Sequence, residues 1–131
     1  MEPMDLQYPA LDACLLSFPG AEKDFKEEWG WHRYKVGGKQ FAALCCPGPE
    51  HKDYAGRPLV NLKCDPRLSE LYRQQYPEVL PGFYMDKKNW IAACLDGDLT
   101  EEFLFQLCKD SYGLVAASLT KKAQRELGLL E

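Results

Sequence analysis

Apolar residues recur along this chain with two different periods, and the switches between them outline its elements. Leu11, Cys14, Leu15 and Phe18 are spaced as one face of a helix. Pro9 suits a first helical turn and Pro19-Gly20 stops the helix, so the spacing predicts a helix over 9–18. The carboxylate-rich stretch Ala21–Gly30 reads as a loop. From Trp31 the period drops to two. Trp31–Val36 and Lys39–Cys46 flank the two-residue turn Gly37-Gly38, which predicts a hairpin. Arg33 and Lys35 share one face of its first strand, and Tyr34 and Val36 the other. Pro47–Pro58, rich in proline, glycine and charge, reads as a loop. Leu59–Cys64 is a third strand, in which Val60, Leu62 and Cys64 alternate with Asn61 and Lys63. One apolar face and one polar face are what an antiparallel sheet covered on a single side requires.

Helical spacing returns after Asp65-Pro66, an N-cap followed by a first-turn proline. Leu68, Leu71 and Tyr72 form the inner side of that helix, and Pro77 bounds it. Pro81–Met85 and Asn89–Leu95 read as two more strands, separated by Asp86-Lys87-Lys88. Asp96-Gly97-Asp98 turns the chain. Thr100 then caps a long helix with Glu101 and Glu102 in its first turn and a stripe of Leu104, Leu107, Cys108, Ser111, Tyr112 and Val115. A short helix, Lys121–Leu127, follows Thr120. The predicted class is α+β: a single domain over residues 1–131, with an antiparallel sheet of about five strands and helices packed on one face.

The bulk numbers sharpen this picture. The 131 residues are 46% hydrophobic and 27% charged, ordinary for a globular domain. No apolar run approaches the roughly 20 residues of a membrane span. The acidic N-terminal stretch does not read as a secretory or Arg-rich transit signal. A cytoplasmic, monomeric protein with no membrane partner is the expectation.

The net charge of −4 is unevenly spread: residues 1–30 sum to −5, residues 31–90 to +4, and residues 91–131 to −3. A basic centre between acidic ends can present a basic face without a basic pI. Arg57, Lys63, Arg67, Arg73, Lys87 and Lys88 crowd into the stretch ending at Trp90.

Catalytic chemistry finds no foothold in the sequence. There is no G-x-S-x-G, P-loop or H-E-x-x-H, and neither His32 nor His51 sits in a nucleophile motif. His32 reads as a structural strand residue and His51 as a solvated loop residue. The expectation is a protein that is not an enzyme and needs no cofactor. Phosphate binding has more to work with. Lys63, Lys87 and Lys88, with Arg33 and Lys35 on the hairpin, can neutralise phosphates if the strands align them. Tyr72, Phe83, Tyr84 and Trp90 offer stacking faces among those charges, or else belong to the core.

Taken in order, FPGA (Phe18–Ala21), YKVGGKQFAAL (Tyr34–Leu44), VNLKCDP (Val60–Pro66), YP and PGFYMDKKNW (Tyr76–Trp90), LDGDL (Leu95–Leu99) and SYGLVAASLTKK (Ser111–Lys122) resemble the MmcQ/YjbR-like family of small bacterial proteins. The resemblance implies a frataxin-like, double-wing fold and a DNA partner. It puts Asn61, Lys63, Met85, Lys87, Lys88, Trp90, Ser111, Tyr112, Lys121 and Lys122 at positions that can meet a ligand. With the hairpin cations, the candidate nucleic-acid or anion site is Arg33, Lys35, Asn61, Lys63, Lys87, Lys88, Trp90, Tyr112, Lys121 and Lys122. The other reading is a small-anion or protein-interaction module that uses the open sheet face around Asn61, Lys63 and Trp90.

The six cysteines form no C-x-x-C pair and share no ligand spacing with the two histidines, so no metal site is expected. They read as buried reduced thiols, with a redox role for the vicinal pair Cys45-Cys46 as the alternative. Thiol titration of the denatured, unreduced protein is expected to return close to six thiols; a count near four would indicate an internal disulfide.

Overall fold

The computed structural model describes residues 3–129. Its centre is one six-stranded sheet with every neighbouring pair antiparallel. The strands are β1 (Glu22–Lys26), β2 (Trp31–Val36), β3 (Lys39–Cys45), β4 (Leu59–Lys63), β5 (Val79–Pro81) and β6 (Trp90–Cys94), in the spatial order β1-β2-β3-β4-β6-β5. The helices are α1 (Met4–Gln7), α2 (Pro9–Leu16), α3 (Pro66–Gln75), α4 (Glu101–Ser118) and α5 (Lys121–Glu126). The α+β class holds, with one strand more than expected.

That extra strand is β1, which lies in the stretch read as a loop. It shows no alternation because it is a sheet edge, with four of its five residues exposed. Backbone pairing with β2 holds it, from Glu22↔Lys35 to Lys26↔Trp31. The expected strand Pro81–Met85 is not formed: the strand lies earlier, at Val79–Pro81, and shares only Pro81 with it, at a sheet edge where a proline does not interrupt an inner ladder. The expected 9–18 helix is preceded by the short turn α1, and Tyr8 breaks the two apart with φ −126° and ψ 63°.

The Asp65 and Thr100 caps lie where the sequence placed them, and Thr120 caps α5 in the same way. Their side chains accept from the backbone N–H groups of Arg67, Phe103 and Ala123, satisfying otherwise orphaned donors. The buried stripe of α4, Leu107, Cys108, Ser111 and Val115, lies over β3 and β4. There it meets Leu44, Val60, Leu62 and Ile91, all essentially without exposed surface. Each such side chain contributes about 1.5–3 kcal/mol by leaving water.

Ser111 has a second task. β3 carries one residue more than β2 near the hairpin: Tyr34 faces Ala42, Lys35 faces Gln40, and Phe41 is left over. The Ser111 hydroxyl donates to the Phe41 carbonyl and accepts from the Lys63 N–H at 2.8 Å. A helix side chain thereby closes a gap in the ladder. Ser111 has no exposed surface, so its role here is internal rather than that of a ligand contact.

The opposite sheet face departs from expectation. It is not an open polar surface but carries a second apolar cluster of Trp31, Ala43, Cys45, Leu59, Phe83, Ala92 and Cys94. Tyr54, from a 3-10 segment over Pro49–Tyr54, packs against it. Turns and loops, rather than helices, cover this side.

Removing the Ser111 hydroxyl strands a donor and an acceptor in the interior, at about 1–3 kcal/mol for each unsatisfied group. Ser111→Ala is therefore expected to lower unfolding free energy by at least about 2 kcal/mol in a urea titration. Ser118→Ala, an exposed serine on the same helix, is expected to stay within about 0.5 kcal/mol.

Candidate functional site

The most developed concavity lies on the loop-covered sheet face. Its construction begins at Asn61 on β4. Asn61 is paired with Ala43 on one side and Ala92 on the other, so two small side chains leave a trough above the sheet. The segment after β5 folds back into that trough. The Phe83 N–H donates to Asn61 Oδ1 at 2.9 Å, and Asn61 Nδ2 donates to the Phe83 carbonyl at 2.9 Å. The Asn61 amide thus acts as a strand neighbour for a single residue. Gly82 makes the return feasible, since a Cβ there would lie 2.7 Å from Trp90 Cβ. Tyr54 Oη donates to the Pro81 carbonyl at 2.8 Å and closes the other side. Tyr84 completes the turn at φ 56°, a left-handed conformation uncommon for an aromatic residue. Strain of this kind gathers at binding sites and switches.

Between this turn, the end of β3 and the start of β2 lies a cavity of about 670 Å³. Its floor is Trp31 and Phe83, 6% and 5% exposed, with ring centroids 6.0 Å apart. Its rim carries Trp29 and Tyr84, 57% and 74% exposed. Arg33, Gln40, Glu28, Glu50, His51, Cys46 and Met85 are also part of the lining.

Charge in the cavity is largely compensated. Asp24 of β1 sits opposite Arg33 in the β1–β2 register and takes two hydrogen bonds from its guanidinium, at 2.7 and 2.8 Å. Lys35 Nζ lies 3.1 Å from the same carboxylate. The Arg33 bonds, joined by Lys35, hold the Asp24 carboxyl down at about 2, so it stays ionised across ordinary pH. His51 Nε2 lies 3.1 Å from Glu50, and its ring edge meets Phe83 and Tyr84. The Gln40 side-chain nitrogen is screened from solvent and makes no hydrogen bond.

A shallower cleft of about 310 Å³ adjoins the cavity and shares Glu50, His51, Phe83 and Tyr84 with it. Lys52, Asp53, Tyr54 and Lys87 complete its lining. The Asp86 carboxylate accepts from the Lys88 N–H and from the Asn89 amide. Arg73 and Ser69 of α3 donate to the carbonyls of Lys87 and Lys88. Their backbone is pinned while both lysine side chains stand in solvent.

The ten expected site residues do not form one surface. Arg33 lines the cavity and Lys87 the adjoining cleft; Lys88 is next to it in the same turn. Lys63 and Trp90 are half-buried partners in the β4–β6 ladder. Lys35 is tied to Asp24. Asn61 is fully buried, with its amide spent on Phe83, and so holds the site's floor rather than meeting a ligand. Tyr112 stacks on Phe18 at 4.9 Å and donates to the Pro19 carbonyl, on the helix side of the sheet. Lys121 and Lys122 lie on α5, which packs against the helix-side core through Ala123 and Leu127. Tyr72 belongs to that side too, edge-on to Phe103. Trp29, Trp31, Gln40 and His51 went unrecognised from sequence. The aromatic Trp29-Gly30-Trp31 repeat inside an acidic stretch was the available signal.

All six cysteines are free. Burial pushes the Cys45 thiol up to about 12 and those of Cys64 and Cys94 to about 11, which leaves them protonated and unreactive. Among the described residues, no cluster of three or more His, Cys, Asp or Glu side chains can hold a metal, and no helix is long and apolar enough to cross a membrane.

Known proteins share this architecture and sequence. The chain is 34% identical over 117 residues to the uncharacterized protein YjbR of Escherichia coli K12, covering 89% of this chain and 92% of that one. It is 36% identical over 94 residues to the uncharacterized protein YbdF of Escherichia coli O157:H7, covering 72% and 71%. The crystal structure of the Deinococcus radiodurans protein DR2400, described with a DUF419 domain, superposes with a TM-score of 0.78 at 29% identity, over 93% of this chain and 88% of that one. A Pseudomonas syringae protein at 22% identity has the same fold, with a TM-score of 0.70 over 83% and 97%. The family model described as YjbR matches residues 16–114, and the chain belongs to the YjbR family.

Proposed function

We propose that this protein is a binding module, not a catalyst, and that its ligand is DNA held through weak, largely sequence-independent phosphate contacts. The observation that carries this is the cleft beside the cavity, whose lining holds Lys52 and Lys87 together with the exposed Tyr84. Cations that meet phosphates and an aromatic face that meets a base are the two components of single-strand recognition. Lys88 adds a further charge on the same pinned turn as Lys87, and Lys63 another on β4. Glu50 and Asp53 in the cleft, and Asp24 on Arg33 and Lys35, oppose an anionic ligand. They account for weak binding, as does the net charge of −4.

The concavity of the main cavity favours a second reading, capture of a small anion. Its 670 Å³ falls within the roughly 300–1,000 Å³ typical of small-molecule sites.

Fluorescence anisotropy with labelled DNA at low salt is expected to give dissociation constants in the range of about 1–100 µM. Affinity is expected to fall steeply with added salt, because each neutralised phosphate releases counterions. Lys87→Ala combined with Lys88→Ala is expected to weaken binding several-fold. Absence of binding, or binding indifferent to that pair, rejects the DNA reading. Asp24→Asn is expected to act in the opposite direction: freeing Arg33 and Lys35 tightens binding and steepens the log–log salt slope by about 1–2.

A further inference from the structure

We infer that the 670 Å³ cavity is a nucleotide site, which takes one unpaired nucleotide with its base against the aromatic wall. The inference rests on the DNA reading for one source of that nucleotide, a strand. The same chemistry is offered by a free nucleoside monophosphate.

Two features of the cavity converge on this ligand class. The first is the gradient of aromatic exposure. Trp31 and Phe83 are sealed in the floor, while Trp29 and Tyr84 stand at the rim with most of their surface in water. A rigid planar ligand covers those rim faces without reorganising the core. The second is Arg33. Asp24 uses two of its hydrogen bonds, and a guanidinium has further donors that suit a phosphate oxygen.

The acidic groups bound the ligand further. Glu28 and Glu50 also line the cavity, so a monophosphate is favoured over a more highly charged triphosphate. They can also accept from the exocyclic amines of adenine, cytosine or guanine. A base inside a duplex is stacked and paired, and entering this cavity would require extruding it. The site therefore separates single strands from duplexes.

Two of the three tryptophans line the cavity and Trp90 does not, so tryptophan emission reports on occupancy. Adenosine and cytidine 5′-monophosphates are expected to quench it saturably, and inorganic phosphate is not. A single-stranded oligonucleotide is expected to bind roughly tenfold tighter than a duplex of equal length. Trp29→Ala combined with Tyr84→Ala, both at exposed positions, is expected to weaken single-strand binding by roughly 5- to 150-fold. Equal binding of single strand and duplex, unaffected by the aromatic pair and without mononucleotide quenching, overturns the nucleotide site. Lysine-dependent DNA binding would survive that result. Mononucleotide quenching without any DNA binding has the opposite meaning: it supports the site, identifies the free nucleotide as its source and rejects the DNA reading. Quenching by inorganic phosphate as strong as by nucleotides overturns the base contact.

Discussion

Asn61 lies at the centre of the sheet with no exposed surface, and both ends of its amide are committed to the backbone of Phe83. An irregular segment cannot rest on a buried apolar face with its peptide groups unpaired, because each lost partner costs about 1–3 kcal/mol. Asn61 supplies the missing partners from a side chain. This allows Gly82–Met85 to leave the ladder, cross the trough left by Ala43 and Ala92, and place Phe83 on the sheet. The cavity floor, the adjoining cleft and the exposed position of Tyr84 all follow from that contact. Ser111 solves the same problem on the other face, where its hydroxyl fills the space between Phe41 and Lys63.

Charge is distributed by the same antiparallel logic. Along the chain charge is uneven: residues 1–30 sum to −5 and residues 31–90 to +4. Folding brings them together. β1 pairs with β2 so that Asp24 faces Arg33, and the acidic segment neutralises the basic hairpin. A little further away, Lys23 of β1 bridges Asp5 and Asp12 of the N-terminal helices, and Tyr34 donates to Asp12. Lys87 and Lys88 form no salt bridge among the described residues; their turn is held through its backbone by α3 and their side chains are exposed. The exposed positive charge of the molecule is therefore narrower than the charge pattern along the chain implies.

Features that depend on near neighbours were legible from sequence. The Asp65 and Thr100 helix caps, the Gly37-Gly38 hairpin and the buried stripe of α4 each arise from residues a few positions apart. β1 was not legible, because an edge strand exposed on both faces carries no alternation. The segment after Pro81 was misleading for a different reason. Phe83 and Met85 alternate like strand residues, but the acceptor and donor that hold Phe83 belong to Asn61, 22 positions earlier. Lys87 could be named as a candidate from its turn. Trp29, Trp31, Gln40 and His51 could not, since what makes them a site is one another.

Local periodicity and turn chemistry, which act over a few residues, were enough to set the class of the protein and most of its elements, and the ordered run of motifs from Phe18 to Lys122 carried the family resemblance. The sequence also showed a cationic, aromatic centre. Only the tertiary structure decided which of those cations remain available. Arg33 and Lys35 are held by a carboxylate that pairing brings from the preceding strand, and Lys121 and Lys122 lie on the other side of the sheet. It likewise turned the expected open polar face into an aromatic cavity, because the burial of Asn61 depends on a loop that returns from the far end of the sheet. Side-chain identity is local, but exposure and partnership are properties of the assembled layers.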